Sequence, residues 1–479
     1  MSTPEKAALA AALALAVIAA LALLMRRNAQ AFPVLAILAL PFRVPISADG
    51  RTVNLLIPLY LVVGAGTLAH LLPRLLRYAQ VRGDVSGRRA LILLDRLLLA
   101  AVVLYAVQAS YSADAVKALE SLAFFYVPFG LLYALLRQVR WTPRLLLACL
   151  AIAVAQAVVF AGVGFVEYQR KELLLNPKIV AANEYDNYFR VNSLFFDPSI
   201  YGRFLALVML AVTAAVLWSR RRRDVLLGAA VLLWLLGGLI TSFSQSSIAA
   251  LLLGLAVLAA WRWDVRATVY VSLAAAAIAL VVVLLAPPSL HLGLKGSGGS
   301  ANNATNGRAK LIGGGLSLFA ARPLQGYGSG AFETEYRRRE KTTTQNATSA
   351  SHTIPVTVAA EQGILGLALY AALLLAAFAT LFSGAGRSPP RIALSACFAA
   401  LVLHTWIYAD FLEDPLTWTL LGIGVGLALA ERAHGESERE RSAGPQRDGD
   451  ERTSPSDVRS SPPPRTPGPP GGERPAAAI

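Results

Sequence analysis

Long apolar runs punctuated by arginine, glycine and proline fill the chain from residue 7 to residue 431, and few polar positions interrupt any one of them. About 30 Å of hydrocarbon at 1.5 Å rise per residue takes about 20 residues of helix to cross. The pattern predicts spans at 7–25, 31–42 (short), 53–72, 91–109, 117–136, 143–166, 200–218, 225–241, 247–261, 267–287, 356–383, 392–412 and 415–431. The fold class is therefore an all-α integral membrane protein of about 12–13 transmembrane helices. Segment 7–25 lacks a cationic start and is followed by Arg26-Arg27 instead of a small-residue cleavage site, so it reads as a retained first helix.

Composition sharpens this picture. The chain has 479 residues, 56% hydrophobic and 15% charged, well below the roughly 25% charged of a soluble domain. Residues 432–479 hold eight arginines and eight acids, so the formal net charge of +15 belongs to the membrane body at 1–431. This excess points to basic loops beside lipid and not to nucleic acid. The 432–479 segment, rich in Ser, Pro and Gly with a PPPRTPGPPGG run, cannot bury a core and reads as a disordered tail.

Cytoplasmic loops collect Lys and Arg. Arg74, Arg77, Arg82, Arg88, Arg89, the run Arg220 to Arg223, Arg262, Arg266, Arg387 and Arg391 fall on one side when the spans are counted. That register puts the tail in the cytoplasm and two long loops, 167–199 and 288–355, on the opposite, extracytoplasmic face of the membrane. Arg26-Arg27 joins the same side if 31–42 crosses, giving thirteen spans; otherwise there are twelve. Cys149 and Cys397 lie within spans, which suits neither a disulfide nor a metal, and no spacing of ligand residues implies a metal or cofactor.

The two outer loops concentrate the chemistry-bearing residues. The first runs through Arg190 to Asp197-Pro198, a helix-start signature, and then Arg203. Arg203 alone is as well explained by snorkelling to head groups. The second loop carries Arg308, then Arg322-Pro323-Leu324-Gln325-Gly326-Tyr327-Gly328-Ser329-Gly330-Ala331-Phe332, the run Arg337 to Arg339, and His352 ahead of Ala360-Glu361-Gln362-Gly363-Ile364-Leu365-Gly366-Leu367. His352 is the one histidine of five set among polar loop residues on this face. The run Arg337 to Arg339 reads as a patch facing acidic head groups, and Asp95-Arg96 as a local ion pair or a polar relay.

Those stretches resemble the O-antigen ligase and O-antigen polymerase superfamily of bacterial membrane glycosyltransferases. Arg308 with the Pro323 to Phe332 turn is similar to the family's "R, then PLxGxGxGxF" signature, His352 with Ala360 to Leu367 to its "His, then AExGxxGL", and Arg190 to Pro198 to its "R, then FxxP". The resemblance covers about 180–380. In one place the chain departs from it: Gln245 stands where relatives carry the arginine of an external "T-x-S-R" turn.

The resemblance implies transfer of a glycan from an undecaprenyl diphosphate carrier to a hydroxyl on a glycan or a lipid-linked acceptor, without a metal and with inversion by direct attack. Guanidinium groups bind phosphate bidentately and stay charged, which suits Arg190 and Arg308 to the diphosphate, with Arg203, Arg322 and Gln245 as further candidates. His352, of a type with an ordinary pKa near 6.5, suits a general base, and Glu361 either its orienter or a helix cap. A ligase reading stands slightly ahead of a polymerase using the same donor. A flippase is the alternative from another class, and it predicts repeats and broken helices at the midplane.

Overall fold

The computed structural model describes residues 3–48, 51–74, 76, 92–174, 189–266, 268–270, 308–340 and 353–443. The chain divides into two units, Met1–Ala433 and His434–Ile479. Among the described residues ten helices are long and apolar enough to cross a membrane. The first unit is thus the all-α membrane body that the apolar pattern predicts, with one small hairpin added.

Helix α1 (Thr3–Arg27) is followed by α2 (Ala31–Ala39), strands β1 (Val44–Ala48) and β2 (Arg51–Leu55), and α3 (Ile57–Gly66), which runs on through a π turn at Thr67–Leu71. The expected short span at 31–42 is a nine-residue helix, about 13 Å long at 1.5 Å per residue and too short to cross alone. Pro41 and Pro45 stop it, and β1 and β2 then pair antiparallel with Val44 opposite Leu55. The expected span at 53–72 accordingly starts later, at Ile57.

Arg26 Nη2 donates to the Leu68 carbonyl at 3.4 Å, and Ile18 lies 3.6 Å from where Gly64 would carry a Cβ. Both contacts run in the same direction along the two helices, so α1 and α3 are parallel. The segment between them carries the chain back, α2 packing on the helix at 143–170 through Gln156 Nε2, which donates to the Leu38 carbonyl at 2.7 Å.

The remaining helices are α4 (Leu93–Ala109), α5 (Ala115–Ser121) continuous through a π turn with α6 (Val127–Leu136), α7 (Pro143–Arg170), α8 (Pro198–Trp218), α9 (Arg222–Thr241), α10 (Gln245–Arg262), α11 (Arg308–Ala321), α12 (Phe332–Glu340), α13 (Ile354–Phe382), α14 (Pro389–Ile407) and α15 (Pro415–Ala443). Apart from residues 268–270, the expected span at 267–287 lies outside the described residues. So does the tail beyond Ala443, and α15 carries helix past the expected boundary at 432. The helix α8 is the centre of a core that it shares with α7, α9, α10 and α14.

Helix ends gather at two levels. At one, Arg391 hydrogen-bonds the Thr380, Leu381 and Ser383 carbonyls that end α13 and pairs with Glu431 at 2.6 Å, satisfying orphan acceptors at a helix terminus. At the same level Arg74 hydrogen-bonds Gln138, and Asp95 pairs with Arg137 at 3.0 Å while accepting from Tyr133 at 2.5 Å. Asp95 thus takes a partner from the end of α6 and not its neighbour Arg96. At the opposite level the turn after α4 meets the segment 322–332, with Ala113 N–H donating to the Tyr327 carbonyl at 3.1 Å, and the turn after α14 meets α5, with Ser121 Oγ donating to Glu413 at 3.1 Å.

Candidate functional site

The two signature stretches read from the sequence dock on each other. Gly326, Gly328 and Gly330 have φ of 68°, 94° and 74°, and Gly363 inside α13 has φ 65°. These are left-handed values that favour glycine. The break at Gly363 frees backbone groups that a helix would pair internally, and four of them find partners outside α13. Tyr327 N–H donates to the Ala360 carbonyl at 3.2 Å, Gly328 N–H to the Glu361 carbonyl at 2.8 Å, and Ile364 N–H to the Pro323 carbonyl at 2.7 Å. Gln108 Nε2 donates to the Gln362 carbonyl at 3.3 Å. Irregular backbone at membrane depth is tolerated only where protein covers it or a cavity needs it, and both hold here.

Glu361 closes the interlock. Its two carboxylate oxygens accept the N–H groups of Gly330 and Phe332, each at 3.0 Å, so it bridges the glycine turn and the start of α12. It lies inside α13 and so is not a cap on its own helix, and its geometry is that of a positioning residue. The turn is braced from α4 and α5: Ser112 Oγ donates to the Ser329 carbonyl at 2.7 Å, Ser329 Oγ to the Tyr105 carbonyl at 3.0 Å and Tyr111 Oη to the Gln325 carbonyl at 3.0 Å.

Beside this interlock lies a cavity of about 890 Å³. Its wall combines charged side chains, among them Asp114, Lys117, Glu120, Glu333 and Arg337, with apolar ones of α4 and α13, Ala101, Val358, Leu369 and Leu373. Asp410 and Glu413, from the turn between α14 and α15, add to the charged set. Asp410 sits at φ 70°, an uncommon backbone conformation for a residue with a side chain.

Behind that turn, Arg203 is 1% exposed and pairs with Asp414 at 2.6 Å, while its Nη1 donates to the Ala409 carbonyl at 3.4 Å. Arg203 therefore serves the protein interior, and the snorkelling expectation is corrected: a partner in the α14–α15 turn keeps its charge buried. Arg43 stacks on Phe196 with its guanidinium 4.7 Å from the ring centroid. Burial pushes the Arg43 pKa down, opposed by Asp414 and Asp410.

Burial likewise pushes the Asp410 and Glu413 carboxyls up, with Arg203 and Arg43 opposing it at Asp410. A raised carboxyl pKa means that the folded state holds its proton more tightly than the unfolded chain, so stability falls as pH rises through the raised value. Thermal unfolding of purified protein, followed as pH is raised above the ordinary carboxylate range, is expected to show a shallower decline with pH in Asp410→Asn with Glu413→Gln than in the native chain. An unchanged slope would assign the decline to other groups.

The remaining expected residues are distributed. Arg190 braces the serine turn before α10: its Nε donates to the Ser242 carbonyl at 3.2 Å and its Nη2 to Ser199 Oγ at 3.4 Å. Gln245, exposed, opens α10 at the same turn. His404, buried in α14, sets Nε2 3.2 Å from both Ser246 Oγ and Ser247 Oγ. Arg322 is exposed and stacks on Tyr327, 4.5 Å from the ring centroid.

Arg308 opens α11, and His352 lies outside the described residues, directly before Thr353. The run Arg337 to Arg339 also makes contacts within its own fold: Arg337 pairs with Glu333 at 2.5 Å, Arg338 with Glu335 at 3.1 Å, and Arg339 donates to the Ser317 carbonyl at 3.3 Å. Sequence reasoning missed Arg43, Lys117, Asp410, Glu413 and Asp414. The short stretch Asp410-Phe411-Leu412-Glu413-Asp414, acid-rich between two apolar runs, was the available signal.

A polytopic helical body with a cavity of mixed lining against a broken helix defines the class as an integral membrane protein. Residues 230–371 match the family model described as O-Antigen ligase. Over that stretch, under a third of the chain, the protein is similar to the O-antigen ligase family. The matched stretch includes Gln245, Arg308, Arg322, His352 and Glu361 and the whole glycine interlock, while Arg190 and Arg203 precede it. No curated protein matches the chain.

Proposed function

We propose that this protein transfers a glycan from undecaprenyl diphosphate to a hydroxyl acceptor at the extracytoplasmic face of the bacterial cytoplasmic membrane, as an O-antigen ligase. The observation that carries the reading is the cavity beside the O-antigen ligase interlock, whose wall combines charged side chains with apolar ones of α4 and α13. A polyprenyl diphosphate glycan combines the same two characters, an apolar chain joined to a charged and hydroxylated head. The arginines gathered at the other level, among them Arg26, Arg74 and Arg391, agree with a cytoplasmic placement of that end and of the tail.

In this reading the acceptor oxygen attacks the anomeric carbon, the carbon–oxygen bond to the diphosphate breaks, and the acceptor proton passes to His352. Arg308 and Arg190 neutralise the charge that develops on the departing diphosphate, and the product carries inverted configuration. His352 precedes Thr353, whose Oγ1 donates to the Trp406 carbonyl at 3.1 Å, and Ile354, which lines the cavity. Glu361 holds the glycine turn and α12 in place beside it.

Transfer from a purified undecaprenyl diphosphate glycan in detergent tests this. Product is expected with or without chelator, and His352→Ala and Arg308→Ala are each expected to lower its rate at least about tenfold, within the range that acid–base and electrostatic groups contribute. A single added glycan marks a ligase and a size ladder a polymerase. No transfer across a donor and acceptor panel, with movement of the lipid-linked glycan between leaflets of reconstituted vesicles, would replace the proposal with a flippase.

A further inference from the structure

The described cavity wall is rich in carboxylates. Six of its lining residues are acidic and two, Lys117 and Arg337, are cationic. Arg337 is already paired with Glu333, and Lys117 lies within electrostatic reach of Glu413. Arg43 and Arg203 sit behind Asp410 and offset it together with Asp414. Of the other four acids, Glu361 is taken by the backbone N–H groups of Gly330 and Phe332, and Asp114 accepts from Lys117 N–H and the Thr334 hydroxyl. Among the described residues Glu120 and Glu413 belong to no salt bridge, and Glu413 accepts from the Ser121 hydroxyl at 3.1 Å.

Carboxylates facing a bound sugar accept hydrogen bonds from its hydroxyls and attract an ammonium group, and they repel another carboxylate in a partly desolvated space. We infer that the sugar held in this cavity next to the diphosphate is a neutral or amino sugar, and that the acidic wall made by Glu120 and Glu413 selects against an acidic one. The inference rests on the glycosyltransferase reading and adds the class of sugar to it. Discrimination by like-charge repulsion needs no contact built for the rejected sugar.

The test is displacement of a fluorescent polyprenyl diphosphate hexose from the full chain in detergent. Three competitors differ only in the sugar: a hexose, a hexosamine and a hexuronate. At a pH on the alkaline side of the raised Glu413 carboxyl, where the wall is ionised, the hexuronate is expected to bind at least about tenfold more weakly than the hexose at low salt, with the gap narrowing at about 0.5 M salt as screening grows. The hexosamine is expected to bind at least as well as the hexose. Glu120→Gln with Glu413→Gln is expected to bring hexuronate and hexose to within about threefold of each other.

Equal binding of hexuronate and hexose by the native protein, or a gap that salt leaves unchanged, would overturn the inference while leaving the glycosyltransferase reading in place. The native panel and its salt dependence decide the matter even if the double variant fails to fold. Failure of the fluorescent hexose itself to bind would overturn the reading and the inference with it.

Discussion

Replacing Arg203 with alanine is expected to destabilise the protein by about 3–5 kcal/mol, the cost of stranding one member of a buried ion pair. Arg203 is 1% exposed, Asp414 is 2% exposed, and the pair meets at 2.6 Å. Removing the guanidinium leaves the Asp414 carboxylate in a space that water does not reach, with Asp410 close by to add repulsion. The same change frees the Ala409 carbonyl and loosens the turn that presents Asp410 and Glu413 to the cavity.

Asp414→Ala is expected to cost about as much, since it strands Arg203. The two changes together are expected to cost clearly less than the sum of the singles, because residues in one buried pair couple strongly. Thermal unfolding of the three variants in one detergent measures this. Singles that each cost less than about 1 kcal/mol, the worth of an exposed pair, would show that the pair is solvated and not structural. Loss of glycan transfer by Arg203→Ala below its unfolding temperature would further mark the turn as a support for the cavity.

How much of this was legible in the sequence follows from the range of each interaction. Spans are local: a run of apolar residues must be a helix in lipid, and most of the expected helices stand where the pattern puts them. The exception at 31–42 was legible in part, because Asp49-Gly50 between the alternating Val44-Ile46 and Val53-Leu55 is a hairpin signal, and hydropathy alone passes over it. The glycine spacing at 326, 328 and 330 announces a turn but not its partner. Nothing local says that the turn lies against Gly363, or that both oxygens of Glu361 are taken by backbone donors. Arg203 and Asp414 are likewise separated by most of the second half of the chain, and their pairing appears only once α8 and the α14–α15 turn are packed together.

A graded glycine series gives the other large effect. Gly326→Ala and Gly363→Ala are each expected to cost more than about 4 kcal/mol and to leave little folded, active protein. Each combines a left-handed φ, worth about 1–2 kcal/mol against a side chain, with a steric conflict that has nowhere to go. A Cβ on Gly326 would overlap the Glu361 carbonyl and lie 2.7 Å from Gln362 N; one on Gly363 would lie 2.6 Å from the Leu324 carbonyl carbon and 2.8 Å from Gln325 N. These neighbours are backbone, so relief requires parting the turn from α13. Parting them breaks the hydrogen bonds from Tyr327, Gly328 and Ile364 together, and those groups then lack partners at membrane depth.

Gly330→Ala is expected to cost less, about 1–2 kcal/mol, because its φ of 74° carries the same backbone penalty while the nearest atom to a new Cβ is 3.1 Å away. Gly313, exposed on α11 with nothing within 4 Å of an added Cβ, is expected to gain about 0.5–1 kcal/mol on conversion to alanine, since a helix interior favours alanine over glycine. Unfolding temperatures and glycan transfer for the four variants are expected to rank Gly313→Ala above native, Gly330→Ala below it, and Gly326→Ala and Gly363→Ala lowest. Native-like stability and activity in Gly326→Ala would show that the turn and the broken helix do not depend on each other. Parallel collapse of Gly326→Ala and Gly363→Ala, which lie on separate segments, would give both signature stretches a single physical role, that of holding a helix open beside the cavity.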